Sequence, residues 1–119
     1  MTDARLKEKA ERALEAGRRA LAAGDSETAA DRAYYAVYYA AWALLDAKGL
    51  PRPKTHQGLI AEFSRHFVKE GPLSPEQGAV LSRLESLRLV ADYTLQAIPL
   101  VDAERAIREA EGFLVALFG

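Results

Sequence analysis

Apolar residues return at helical spacing along nearly the whole chain, and no stretch alternates apolar with polar as a half-buried strand would. The pattern divides into five helical segments. The first predicted helix covers residues 3–23, with Leu6, Ala10, Ala13, Leu14, Gly17 and Leu21 on one stripe. Glu8–Arg12 and Glu15–Arg19 are favourable i,i+4 pairs on its wet side. Gly24 can take the left-handed conformation that ends it, and Asp25 or Ser26 can cap the next. The second helix, 26–47, differs in kind: from Ala33 to Leu45 it is apolar or aromatic on every side. That predicts a helix surrounded by others, or by a second subunit. Gly49 and Pro51-Arg52-Pro53 stop it.

A third helix over 55–69 is expected to bury Leu59, Ile60, Phe63 and Phe67 and to close at Gly71-Pro72. Ser74-Pro75-Glu76-Gln77 then offers a capping serine, a proline at the first helical position and a glutamine placed for a capping box. The fourth helix carries Val80, Leu84, Leu87, Ala91 and Leu95 on one line and should end before Pro99. Asp102 is expected to cap a fifth, with Ala103, Ala106, Ile107, Ala110, Leu114 and Leu117 inward. The fold expected is all-α: an antiparallel up-and-down bundle of four to five helices, one domain over 1–119, with short connections.

Composition narrows the function classes. Half of the 119 residues are hydrophobic and 28% are charged, with a net charge of −1. This suits a folded domain and gives no overall attraction to nucleic acid or anionic membrane, so RNA binding would need a local patch. There is no cysteine, which excludes disulfides and thiolate metal sites. Two histidines without His-Glu-x-x-His spacing give no metal site, and no glycine-rich phosphate loop or nucleophile–base–carboxylate set occurs. No cofactor is expected. The charged N-terminal stretch lacks the apolar core of a signal peptide, and the run from Ala33 to Leu45 falls short of the roughly 20 residues that span a bilayer. A cytoplasmic location, away from the membrane, is the expectation.

Two stretches carry a family resemblance. One is Asp31-Arg32-Ala33-Tyr34-Tyr35-Ala36-Val37-Tyr38-Tyr39-Ala40-Ala41. The other runs from Lys54-Thr55-His56 through Phe63 and Phe67-Val68-Lys69-Glu70-Gly71 to Leu87-Arg88-Leu89-Val90-Ala91-Asp92-Tyr93. Together they resemble the HEPN domain family, in the branch of small prokaryotic proteins that show an Arg-Ala-Tyr-Tyr-Ala helix and a later Leu-Arg-x-x-x-Asp-Tyr. The resemblance covers roughly residues 25–95. It implies a four- or five-helix bundle that dimerises, and a minimal nucleotidyltransferase as partner in a two-component system, often of toxin–antitoxin type. It also implies metal-independent RNA cleavage in members with an intact Arg-x(4–6)-His motif. Here Arg88 matches the arginine, but the positions that follow it after four, five and six intervening residues are Tyr93, Thr94 and Leu95, so the histidine is missing.

Five residues stand out as ligand-binding candidates: Arg32, Tyr35, His56, Arg88 and Asp92. Arg88 and Asp92 are i,i+4 neighbours, readable as a phosphate-binding arginine oriented by a carboxylate or as an ordinary ion pair. Arg32 opens the most apolar helix and must find water, a carboxylate or an anion; Asp92 across the bundle is one partner, and stacking on a tyrosine is the alternative. Tyr35 lines up with Arg32 at i+3, although aromatics at helical spacing are usually core. His56 lies in the first turn of the third helix, where anions are welcome and where a local capping contact is equally readable. His66 reads as structural. Arg88 and Tyr93 are the catalytic candidates, set about 140° apart on an ideal helix, so sharing a face requires distortion or a second subunit.

The expected function is a homodimeric interaction module, partner of a minimal nucleotidyltransferase and binder of a nucleotide or phosphate. The first alternative is a ribonuclease using Arg88 with Tyr93 or His56 replacing the absent histidine. The second is a tetratricopeptide-type scaffold, suggested by Ala20-Leu21-Ala22-Ala23-Gly24-Asp25, though one repeat cannot bury its own faces.

Overall fold

The computed structural model describes residues 4–119 and is helical almost throughout. Five helices follow in order: α1 (Ala4–Ala22), α2 (Ser26–Ala47), α3 (His56–Phe63), α4 (Pro75–Tyr93) and α5 (Leu100–Phe118). A π-helical turn, Ser64–Lys69, extends α3. The expected start of the first helix, residue 3, lies outside the described residues.

Local chemistry sets most boundaries. Gly24 ends α1 with φ 77°, and the Asp25 carboxylate accepts from Thr28 N at 3.2 Å to cap α2. Ser26 does a different job: its hydroxyl donates to the Ile98 carbonyl at 2.7 Å and pins the α4–α5 loop to the start of α2. The capping box of α4 is complete, with Gln77 N donating to Ser74 Oγ at 3.2 Å and Ser74 N to Gln77 Oε1 at 3.0 Å.

Two expectations change at the far end of α4. That helix stops at Tyr93, where Thr94 turns to extended backbone; its hydroxyl donates to the Val90 carbonyl at 2.7 Å and accepts from Gln96 N at 3.1 Å. Leu95 therefore leaves the helical line and is fully exposed, while Ile98 fills the interior in its place. Asp102 does not cap α5. Pro99 occupies the cap, its carbonyl accepting from Asp102 N at 3.0 Å, and Asp102 sits inside the first turn, where its charge meets the positive helix end.

The centre of the bundle is α2, which packs against α1, α3, α4 and α5. Ala33, Ala36, Val37, Ala40, Ala41, Ala43 and Leu45 are all fully buried. Helices of the same chain cover most of this apolar run, while Tyr35, Tyr39, Trp42 and Leu44 stay partly exposed. The α1–α2 hairpin is not followed by another of its kind, so no tetratricopeptide stack is present among the described residues. No helix among them is long and apolar enough to cross a membrane.

Candidate functional site

The polar exception to this interior lies where α2, α3 and α4 meet. Among the described residues, Glu85 and Arg88 are the buried charged side chains, at 5% and 7% exposure. They stand three residues apart on α4, and Arg88 Nη2 donates to both Glu85 carboxylate oxygens at 3.3 Å. Arg88 Nη1 reaches the exposed end of Asp92 at 3.4 Å. Burial alone would lower the Arg88 pKa, but the Glu85 carboxylate outweighs it and the pKa lies above its ordinary value. Arg88 Nε is buried and has no partner.

Tyrosines of α2 form the wall. The Arg88 guanidinium carbon lies 5.2 Å from the Tyr34 ring centroid and 5.8 Å from that of Tyr35. Tyr34 is fully buried. Burial pushes its phenol well above the ordinary range, and the adjacent Glu85 carboxylate adds to this. Tyr35 is also raised, again by burial first.

α3 delivers the histidine. Thr55 caps that helix by accepting from Gly58 N at 2.9 Å. A Cβ on Gly58 would lie 3.0 Å from Thr55 Oγ1 and 3.1 Å from Pro53 Cβ, so this first turn is closely fitted. It places His56 Nδ1 2.8 Å from the Tyr34 hydroxyl, 3.4 Å from Arg88 Nη2 and 3.8 Å from Glu85 Oε2. The imidazole stacks on Tyr38 at 4.6 Å between centroids. A guanidinium only donates, so Nδ1 facing it acts as acceptor and a neutral imidazole carries its proton on Nε2.

His56, Arg88, Asp92 and Tyr35 are therefore brought together. Arg32 joins them at one remove: it pairs with its neighbour Asp31 at 3.0 Å, not with Asp92, and stacks 4.9 Å over Tyr35. Tyr35 is thus within cation–π distance of two guanidinium groups. Tyr93 ends α4, is 74% exposed and has its ring centroid 6.0 Å from Arg88, the outer limit of a cation–π contact. His66 bonds Glu62 at 3.1 Å away from this cluster.

Sequence reasoning missed Glu85 and Tyr34 as members of the site. Glu85 carried a signal: it follows the buried Leu81 by four residues, a carboxylate on an apolar face with a cation three residues on. Tyr34 carried none beyond its aromatic stripe. Among the described residues no group of histidine and carboxylate side chains could hold a metal ion.

Comparison with known proteins adds the following. The HEPN domain family model matches residues 4–117. A Methanocaldococcus jannaschii protein named "putative toxin" is 42% identical over 83 residues, covering 70% of this chain and 61% of its own length. A "UPF0332 protein" of Thermotoga maritima is 42% identical over 91 residues, covering 76% of this chain and 68% of its own length. A second M. jannaschii "putative toxin" is 34% identical over 89 residues, covering 75% and 60%. The similarity thus spans between three fifths and about two thirds of these relatives.

Proposed function

The chain belongs to the HEPN domain family, and from that premise we propose that it is the toxin-side component of a two-component system. In this reading it works as a homodimer with a minimal nucleotidyltransferase as its partner, and the Arg88 cluster receives the phosphate of a nucleotide or RNA. One observation carries the ligand site: a guanidinium more than nine-tenths buried, clamped by Glu85, with Nε unpartnered. A buried donor without a partner costs about 1–3 kcal/mol, which a bound oxygen would offset. Asp92 is the exchangeable neighbour. Its contact is long, its side chain is 39% exposed, and an incoming phosphate can take its place on Arg88. The names of two relatives agree with a toxin role.

The test is co-expression with a nucleotidyltransferase encoded beside the gene. Co-purification of the two is expected, together with AMP or ATP binding lost in Arg88→Ala. If no such protein forms a complex, the partner reading is dropped.

A second reading has its own observation, the approach of His56 to Arg88. A metal-independent ribonuclease needs a group that moves a proton near neutral pH and a cation for the phosphorane charge. His56 and Arg88 have that chemistry, whereas a tyrosine near pKa 10 is a poor base. The 2′-oxygen would attack phosphorus as its proton is removed, and the 5′-oxygen would leave with a proton. Equal cleavage of cellular RNA by the wild type and Arg88→Ala would eliminate this reading.

A further inference from the structure

The exposed flank of α1 beside α2 gathers cations. Lys9, Arg12 and Arg19 fall within a sector of about 80° on an ideal helix and extend over about 15 Å of its length. With Arg32 and Tyr39 of α2 they line an open groove of about 390 Å³, floored by Ala13 and Ala16. No carboxylate lines it. The chain as a whole has a net charge of −1, so this concentration of positive charge is local.

The carboxylates at its border hold it weakly. Glu8–Arg12 and Glu15–Arg19 are both 3.8 Å apart, and all four side chains are more than half exposed. Such pairs contribute little and give way to a better anion. Only Arg32 is firmly engaged, by Asp31 and the Tyr35 face. Tyr39 is half-buried, with Lys9 Nζ 4.9 Å over its ring.

We propose that the α1–α2 groove formed by Lys9, Arg12, Arg19, Arg32 and Tyr39 binds the backbone of a single-stranded nucleic acid. Cations in a line attract any polyanion; an aromatic ring set among them favours a strand whose bases are free to stack. Tyr39 lies 5.9 Å from Tyr35, whose ring centroid is 4.9 Å from the Arg32 guanidinium and 5.8 Å from that of Arg88, so Tyr35 stands next to both the groove and the Arg88 cluster. Binding in the groove nevertheless stands apart from any role of Arg88.

The experiment is fluorescence anisotropy of the full chain with a labelled mixed-sequence single strand, titrated at several salt concentrations. Three phosphate contacts, from Lys9, Arg12 and Arg19, predict a slope of log K against log salt of about −2. Arg12→Glu/Arg19→Glu should weaken binding about tenfold or more, and Lys9→Ala should make the slope shallower by about 0.7. All three side chains are exposed, so the variants should keep the wild-type melting curve. Arg108→Glu, an exposed α5 cation outside the groove, serves as the charge control. Wild-type affinity in the double variant overturns the proposal. So does equal loss in Arg108→Glu, equal binding of a duplex or an acidic peptide, or equal binding of anionic phosphatidylserine vesicles. Loss in Arg88→Ala while the groove variants bind normally would place the strand at the Arg88 cluster alone, and likewise overturns it.

Discussion

Two kinds of interior meet on α2. Toward α1 and α5 the contact is made of small residues: a Cβ on Gly17 would lie 2.7 Å from Ile107 Cδ1, 3.3 Å from Arg32 Cβ and 3.5 Å from the Ala29 carbonyl. Toward α3 and α4 it is made of Tyr34, His56, Glu85 and Arg88, joined by polar contacts of 2.8–3.8 Å. The first interior depends on volume and is indifferent to charge. The second depends on every charge having its partner. Close packing stabilises the bundle; the polar end contributes little net stability, since desolvating two charges offsets their attraction. That difference is why the polar end reads as functional.

The largest expected effect comes from breaking the charge pair. Glu85→Ala leaves Arg88 buried without its main partner and should lower unfolding free energy by about 3–5 kcal/mol in urea denaturation. Glu85→Leu/Arg88→Leu should recover most of that loss while abolishing ligand binding. A double variant as unstable as Glu85→Ala would show that the pair does contribute stability, and would erase the contrast drawn above.

Next comes volume on the other side. Gly17→Leu should cost about 1–3 kcal/mol by overpacking the α1–α2–α5 junction, with ligand binding at the Arg88 cluster unchanged. A change in that binding would mean that the two interiors are coupled.

Tyr34→Phe removes one hydroxyl contact with His56 and should cost about 0.5–1.5 kcal/mol at neutral pH. Its signature is the pH dependence. The folded-state pKa of Tyr34 lies above its unfolded value of about 10, so the folded chain keeps the phenolic proton that the unfolded chain loses. This contribution is full below pH 10 and is lost as pH rises beyond it. Thermal melts across that range should fall less steeply for Tyr34→Phe than for the wild type.

The smallest effect on stability belongs to Asp92→Asn. A partly exposed pair at 3.4 Å contributes less than about 1 kcal/mol. The same change should tighten phosphate binding at Arg88, measured by calorimetry. Weaker binding would show that Asp92 orients the guanidinium instead of competing for it.

Much of the fold was legible because helix ends are written locally. The Ser74–Gln77 box, the left-handed Gly24 and the Glu8–Arg12 pair each involve residues within four positions of one another. The end of α4 was less so. Thr94 could continue or cap a helix, and Leu95 and Ile98 compete for one interior place. The bond from Ser26 to the Ile98 carbonyl, across 72 positions, fixes which is buried. The π-helical turn at Ser64–Lys69 left no sequence signal, since its Phe63–Phe67 stack suits an ordinary helix equally.

For the site, the sequence nominated Arg88, Asp92, Tyr35, Arg32 and His56 one at a time. Arg88 with Asp92 is a matter of i,i+4 spacing on one helix. The meeting of Arg88 with His56, 32 positions away, depends on how α3 and α4 converge on the Tyr34 face.

By itself the sequence determined five helices, an apolar α2 at the centre and an arginine on the buried edge of α4. These follow from periodicity and capping, which act over one or two turns. Only the tertiary structure decided that most of α2 is covered by its own chain, that Glu85 holds Arg88, and that a histidine of the third helix meets that arginine. Those outcomes rest on packing between elements far apart in sequence, where the cost of burying a charge is met by whichever partner the fold brings near.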